Sequence, residues 1–121
     1  MAVVPNAVPA AALDYDEIFR RGGANCGDED FALCKCPHCG YIYLMEYEVE
    51  TLYLDSSDLS RRAPLFTAGP FPCVSCAADL PDVPWIGPDA PKSMQVTWSD
   101  LRGSAWRWIT AQTRDIPPAH V

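Results

Sequence analysis

The sequence predicts a small α+β domain: an antiparallel β-sheet, irregular proline-rich arms and a C-terminal α-helix. Three observations carry this expectation. Two Cys-x-x-Cys pairs, Cys36-Pro-His-Cys39 and Cys73-Val-Ser-Cys76, stand 33 residues apart. Between them, YIYLMEYEVETLYLD (41–55) is rich in Tyr, Leu and Val and alternates cleanly over MEYEVE, which is the pattern of a strand with one buried and one solvated face. After the second pair, apolar residues recur at helical spacing from Trp98 onward. The 121 residues suffice for one domain. It divides into an N-terminal arm with a short helix (1–30), a β core (31–80), a proline-rich linker (81–96), and a helix with a tail (97–121).

Taken in order, residues 1–13 (MAVVPNAVPAAAL) read as a flexible arm, or as one extended against a partner. They lack a basic start and are interrupted by Pro5 and Pro9, so they do not read as a secretory signal. No run approaches the roughly 20 apolar residues of a membrane span, and the expected location is the cytoplasm. A short helix is expected from Asp14 to Arg21, with acids first and arginines last as the helix dipole prefers, and Gly22 and Gly23 ending it. ANCGDED (24–30) reads as an acidic loop. FALCKC begins a strand at Phe31 and PHCG turns it. In 41–55, Tyr43, Met45, Tyr47, Val49, Thr51 and Tyr53 fall on one face. Glu46, Glu48 and Glu50 fall on the other, expected to meet water, with Ile42, Leu44, Leu52 and Leu54 flanking them. Fifteen residues exceed the usual strand length, so a bulge or bend is expected. SSDLSRRAPLFTAGP (56–70) reads as a polar loop with an apolar patch at Leu65 and Phe66, and AADLPDVPWIGPDAPKS (77–93) as proline-punctuated coil. Thr97 is set to cap a helix, with Asp100 in place of the usual Glu. That helix should run from Trp98 to about Arg114, before Ile116-Pro117-Pro118.

The cysteines carry the chemistry. A two-residue spacer lets both sulfurs of a pair reach one ion at about 2.3 Å, and a second pair completes a tetrahedron. Four soft ligands suit zinc, or a single iron. Gly40 supports the reading, since the chain leaving such a turn often needs a positive φ. Ala77 stands at the matching place in the second pair, so either it adopts a strained left-handed conformation or that turn has another shape. Cys34 and Cys26 are the alternative ligands; a rival site would use Cys26, Cys34, Cys36 and Cys39, but it leaves Cys73 and Cys76 unexplained. Cys34 reads better as a small buried residue. His38 is expected exposed in the turn, and His120 belongs to the tail.

CPHCG followed by a strand, with a distant Cys-x-x-Cys, resembles the zinc ribbon family. CGYIY (39–43) is also similar to the first knuckle of rubredoxins, which hold iron in the same four-cysteine frame. The resemblance covers about 36–77, roughly a third of the chain. It implies a zinc-ribbon or rubredoxin-like fold for the core. It marks Cys36, Cys39, Cys73 and Cys76 as ligands to Zn2+, or alternatively to iron. The sequence departs from the pattern at Ala77, at Val74, where rubredoxins carry proline, and in the long strand between the pairs.

The formal charge is −7, with eleven of sixteen acidic residues between Asp14 and Asp58. Four thiolates around a divalent cation would add about −2. That balance disfavours a phosphate backbone as partner. No phosphate-binding glycine loop, nucleophile elbow or HExxH is present, and a four-sulfur site leaves no position for a metal-bound water. The expected function is therefore a structural zinc-binding protein–protein interaction module, a small accessory subunit of a larger complex and not itself an enzyme. A nucleic-acid-binding zinc ribbon and a rubredoxin-type iron electron carrier are the alternatives. The stripe from Trp98 is expected either to pack on the sheet as core or to form a docking surface. Trp98, Leu101, Trp106 and Trp108 are then the candidate partner-binding residues, because Trp98, Trp106 and Trp108 with Trp85 are a large aromatic load for a small sheet and tryptophan is enriched at interface hot spots. A chelator is expected to unfold the chain.

Overall fold

A strand dense in apolar side chains on both faces needs cover on both, and β2 (Ile42–Glu46) has it, with all five residues buried. It lies in a four-stranded antiparallel sheet, in chain order, with β1 (Phe31–Lys35), β3 (Thr51–Tyr53) and β4 (Arg62–Pro64). The computed structural model describes residues 6–23, 31–46, 51–64, 71–80 and 92–114. A second sheet has two short strands, β5 (Phe71–Pro72) and β6 (Asp79–Leu80). The expected small α+β class holds in this coarse form.

The run expected as one bent strand is two strands. The chain reverses between Glu46 and Thr51, which pair across β2 and β3. Paired residues there differ in number by an odd amount, so odd residues of β2 share a face with even residues of β3. Tyr53, expected beside Tyr43, instead faces the same way as its partner Leu44. Glu46, expected in water, is 0% exposed, because the face it shares with Phe31 and Leu44 is itself covered. Tyr47, Glu48, Val49 and Glu50 lie outside the described residues. The loop expected over 56–70 supplies β4 and the buried Leu59; its residues 65–70, Leu65 and Phe66 among them, lie outside the described residues.

Each sheet face carries its own cluster. On the first, Phe31, Ile42, Leu44 and Tyr53 pack with Ile18, Leu101, Trp106, Trp108 and Ile109. On the second, Cys34, Tyr43, Met45 and Leu52 pack with Met94, Cys36 and Cys73. Burying one such large side chain is worth roughly 1.5–3 kcal/mol.

The first face is covered by helices and by the N-terminal arm. Helix α1 (Tyr15–Arg20) forms as expected. The Asp14 carboxylate accepts the Glu17 N–H at 3.1 Å, and Gly22 leaves with φ +109°. Buried Glu17 accepts from Arg20 and, at 2.7 Å, from Arg21, which satisfies a charge otherwise costly to bury. The Arg21 guanidinium then lies 4.1 Å over the Trp108 ring. The described part of the arm expected to be flexible or partner-bound, residues 6–13, runs along this chain's own C-terminal segment. Val8 donates to the Val96 carbonyl at 2.8 Å, Trp98 to the Asn6 carbonyl at 2.9 Å and Asp14 to the Ile109 carbonyl at 2.7 Å.

The continuous terminal helix is also corrected. It is α2 (Trp98–Arg102), a 3₁₀ turn (Arg107–Ile109) and α3 (Ala111–Arg114). The start is as expected: Thr97 Oγ1 accepts the Asp100 N–H at 3.1 Å, and Asp100 accepts the Thr97 N–H at 3.0 Å. Gly103 ends α2. The Ser104 hydroxyl then accepts the Trp106 N–H at 3.1 Å and donates to the Leu101 carbonyl at 2.9 Å, bonds that compete with helical ones. The break turns Trp106 inward, where its indole N–H donates to the Ile42 carbonyl at 2.8 Å. Leu101, Trp106 and Trp108 are buried in the first cluster and Trp98 packs half-buried against it. Much of the aromatic load assigned to a partner is thus taken up by the chain's own sheet; Trp85 lies outside the described residues.

Burial at Leu101 makes a clear prediction. Leu101→Ala should lower the stability of the isolated chain by about 2–5 kcal/mol, measured by chemical denaturation. A residue that served only as a docking surface would leave that midpoint unmoved.

Candidate metal centre

Each Cys-x-x-Cys pair forms the turn of a hairpin. β1 delivers Cys36 and β2 departs just beyond Tyr41; β5 delivers Cys73 and β6 departs just beyond Ala78. The two turns repeat each other in their backbone bonds. Gly40 N–H donates to the Cys36 carbonyl and Ala77 N–H to the Cys73 carbonyl, both at 2.9 Å. Cys36 N–H donates to the Tyr41 carbonyl and Cys73 N–H to the Ala78 carbonyl, again at 2.9 Å. The His38 and Ser75 N–H groups point at the Cys36 and Cys73 sulfurs, both at 3.4 Å. Gly40 has φ +82° and Ala77 φ +67°. The second turn therefore keeps the shape of the first, and Ala77 carries the strain.

The four sulfurs of Cys36, Cys39, Cys73 and Cys76 lie within 4.8 Å of one another. The contacts across the turns are 3.8 Å for Cys36–Cys76 and 3.7 Å for Cys39–Cys73. Sulfurs about 2.3 Å from a central ion at the corners of a tetrahedron are about 3.8 Å apart. The donor set and its spacing thus fit a metal ion, zinc and iron alike. Cys36 and Cys73 are buried while Cys39 and Cys76 are exposed.

No family model, curated protein or solved structure gives a significant match to this chain. The likeness to zinc ribbons rests on the knuckles themselves: their spacing, their left-handed exits and the convergence of four sulfurs.

Electrostatics around the sulfurs are uneven. Burial works against ionisation of Cys73. The Tyr43 hydroxyl, the N–H groups of Cys76 and Ser75 and the Cys39 thiol oppose it by hydrogen bonding, and they bring the thiol down to about 6. At Cys76 the Ala78 N–H favours the thiolate, but desolvation and hydrogen bonds to Cys39, Cys36 and Cys73 prevail and push it up to about 11. Four crowded thiols cannot all ionise easily without a cation. Cys34, two residues before Cys36 on the same face, is 0% exposed. Burial and then the nearby Cys36 raise its pKa well above normal. It lies outside the four-sulfur group and behaves as a small apolar residue. Cys26 and His120 lie outside the described residues, and His38 is exposed in its turn.

Sequence reasoning missed the role of Tyr43 at this site. Its hydroxyl donates to Cys73 Sγ at 3.2 Å and accepts the Val74 N–H at 3.0 Å. The available signal was its place on the inward face of the strand leaving the first knuckle, since a buried tyrosine hydroxyl needs a polar partner.

The matched turns give a paired prediction. A Cβ built at Gly40 meets no atom within 4 Å, so Gly40→Ala should cost about 1–2 kcal/mol from conformation alone. Ala77→Gly should stabilise by about 0.5–1 kcal/mol, the relief of strain less the added chain entropy. Denaturation midpoints of the two variants should move in opposite directions.

Proposed function

We propose that the chain is a structural zinc-binding protein, its Cys36, Cys39, Cys73 and Cys76 thiolates joining two hairpins through one Zn2+, and that it serves as a protein–protein interaction module in a larger complex. The observation that carries the metal half is the convergence of four sulfurs at tetrahedral spacing. Such a closed set is the hallmark of structural rather than catalytic zinc. A protein partner is favoured over nucleic acid by the charge of −7 and by the engagement of the basic residues near the knuckles. Lys35 pairs with Asp100 at 2.6 Å and Arg61 with Asp55 at 3.1 Å, and Arg62 lies over the Tyr53 ring. No helix among the described residues is long and apolar enough to cross a membrane. Trp98, half-buried, keeps part of one face available to a partner, and the rest of the interaction reading stands on charge.

One observation favours a second reading, an iron centre for electron transfer. The exposed Cys39 and Cys76 bring one edge of the site to the surface, which an electron needs and a purely structural ion does not.

Metal analysis of the native protein tests both. One colourless zinc per chain is expected; a red protein with thiolate-to-iron absorption would replace the first reading by the second. Because the first-face cluster does not include the site, chelation should loosen residues 71–80 before the rest, followed residue by residue by amide exchange. A chain whose fold, metal content and co-eluting partner all survive changing the four cysteines to serine would sink the proposal.

A further inference from the structure

We infer that Tyr43 is the positioning residue of the metal centre, holding the second knuckle against the main sheet and setting the donor strength of the Cys73 sulfur. The inference rests on the four-thiolate reading above. Tyr43 is fully buried on β2, across from Cys34 in β1. Its single hydroxyl does two things at once, donating to Cys73 Sγ and accepting the Val74 N–H. Both contacts lie in the β5–β6 turn, some thirty residues on in the chain. A hairpin with strands of two residues has little holding power of its own, so a rigid aromatic post from the large sheet fixes where its turn sits.

The hydroxyl also breaks the likeness of the two knuckles. Cys36, the counterpart of Cys73, accepts the His38 N–H, and no hydroxyl reaches it among the described residues. A hydrogen bond to a thiolate stabilises its charge and draws electron density from the sulfur. Cys73 is then the weaker electron donor of the buried pair. Contacts of this kind behind metal ligands typically govern about 10–100-fold in affinity.

Tyr41 supplies a matched control. Its ring meets that of Tyr43 edge-on at 5.0 Å and it lies near Cys73, but its hydroxyl donates to the Leu54 carbonyl and not to a sulfur. Tyr43→Phe and Tyr41→Phe therefore delete the same atom from neighbouring rings.

The test uses the full chain loaded with cobalt(II) and with zinc. In Tyr43→Phe the thiolate-to-cobalt charge-transfer band should move to lower energy, and zinc should pass to a chromophoric chelator about tenfold faster or more. In Tyr41→Phe the band should stay where it is. A Tyr43→Phe protein with the wild-type band and release rate overturns the inference alone, as does a Tyr41→Phe protein that reproduces both changes. If Tyr43→Phe does not fold, the wild type loaded with a spin-half cadmium isotope decides. The Tyr43 hydroxyl proton should show scalar coupling to cadmium through the Cys73 sulfur, and its absence overturns the inference. A wild-type chain that takes up none of these metals instead overturns the four-thiolate reading, and this inference with it.

Discussion

Four sulfur atoms held within 4.8 Å of one another are a constraint before they are a function. Thiols at that distance ionise against each other, and each thiolate kept near the surface of an acidic chain adds to an existing excess of negative charge. The fold answers with donors aimed at the sulfurs: two backbone N–H groups in equivalent places, another pair in the second turn, and the Tyr43 hydroxyl. These reduce the cost without removing it. A divalent cation at the centre turns the same crowding into attraction, which is why the arrangement makes physical sense as a metal centre and poor sense as four packed cysteines.

The sheet separates this centre from the main core. One face gathers Ile18, Leu101, Trp106, Trp108 and Ile109 over Phe31, Ile42 and Leu44; the other holds Met94 and the buried cysteines. The first face is closed by stitching the beginning of the described chain to its end, through Asn6, Val8 and Asp14 on one side and Val96, Trp98 and Ile109 on the other. Such contacts are remote in sequence and carry a loop-closure cost that grows only slowly with length. Several large side chains, each contributing on the order of 2 kcal/mol, give that face an apolar core that does not include the four sulfurs. An ion held by the four sulfurs would add the attachment of the β5–β6 hairpin, whose two-residue strands are too short to fold alone.

Local signals were legible in the sequence and non-local ones were not. The capping box at Thr97 and Asp100, helix α1 behind Asp14, the strand at Phe31 and the two knuckles each depend on residues within a few positions of one another, and each forms as its residues dictate. The left-handed exit at Ala77 was foreseen as one of two outcomes, and the repetition of the turn bonds shows why it occurs: the N–H of residue 77 must reach the Cys73 carbonyl just as that of Gly40 reaches Cys36. The failures share another cause. Alternation in 41–55 is equally compatible with one strand or a hairpin, and only the chain reversal after Glu46 fixes which parity faces which layer. The helical stripe from Trp98 does not reveal that Gly103 and Ser104 will interrupt it, because Ser104 wins only once Trp106 has a core to enter. Tyr43 at the metal site was hidden for a related reason, its partner being thirty residues away on a different sheet.

The choice among cysteines shows how far backbone geometry governs this chemistry. Cys34 and Cys36 are two residues apart on one strand line, with the same side-chain direction and nearly the same burial, 0% and 1% exposed. Composition cannot tell them apart. What separates them is the turn. Cys36 stands where the chain begins to fold over, so that the N–H of His38 is presented to its sulfur and its carbonyl is taken by Gly40. Cys34 stands inside the ladder opposite Tyr43, its backbone committed to β1–β2 pairing, and burial drives its thiol further from ionisation. The sulfur placed in the four-sulfur cluster is the one to which the turn already presents a backbone donor. By the same rule Cys39 and Cys76, at the far ends of the two turns, keep their sulfurs toward solvent while their partners face inward. The site thus has a buried pair and an exposed pair by construction, and its only sulfurs open to solvent are those of Cys39 and Cys76.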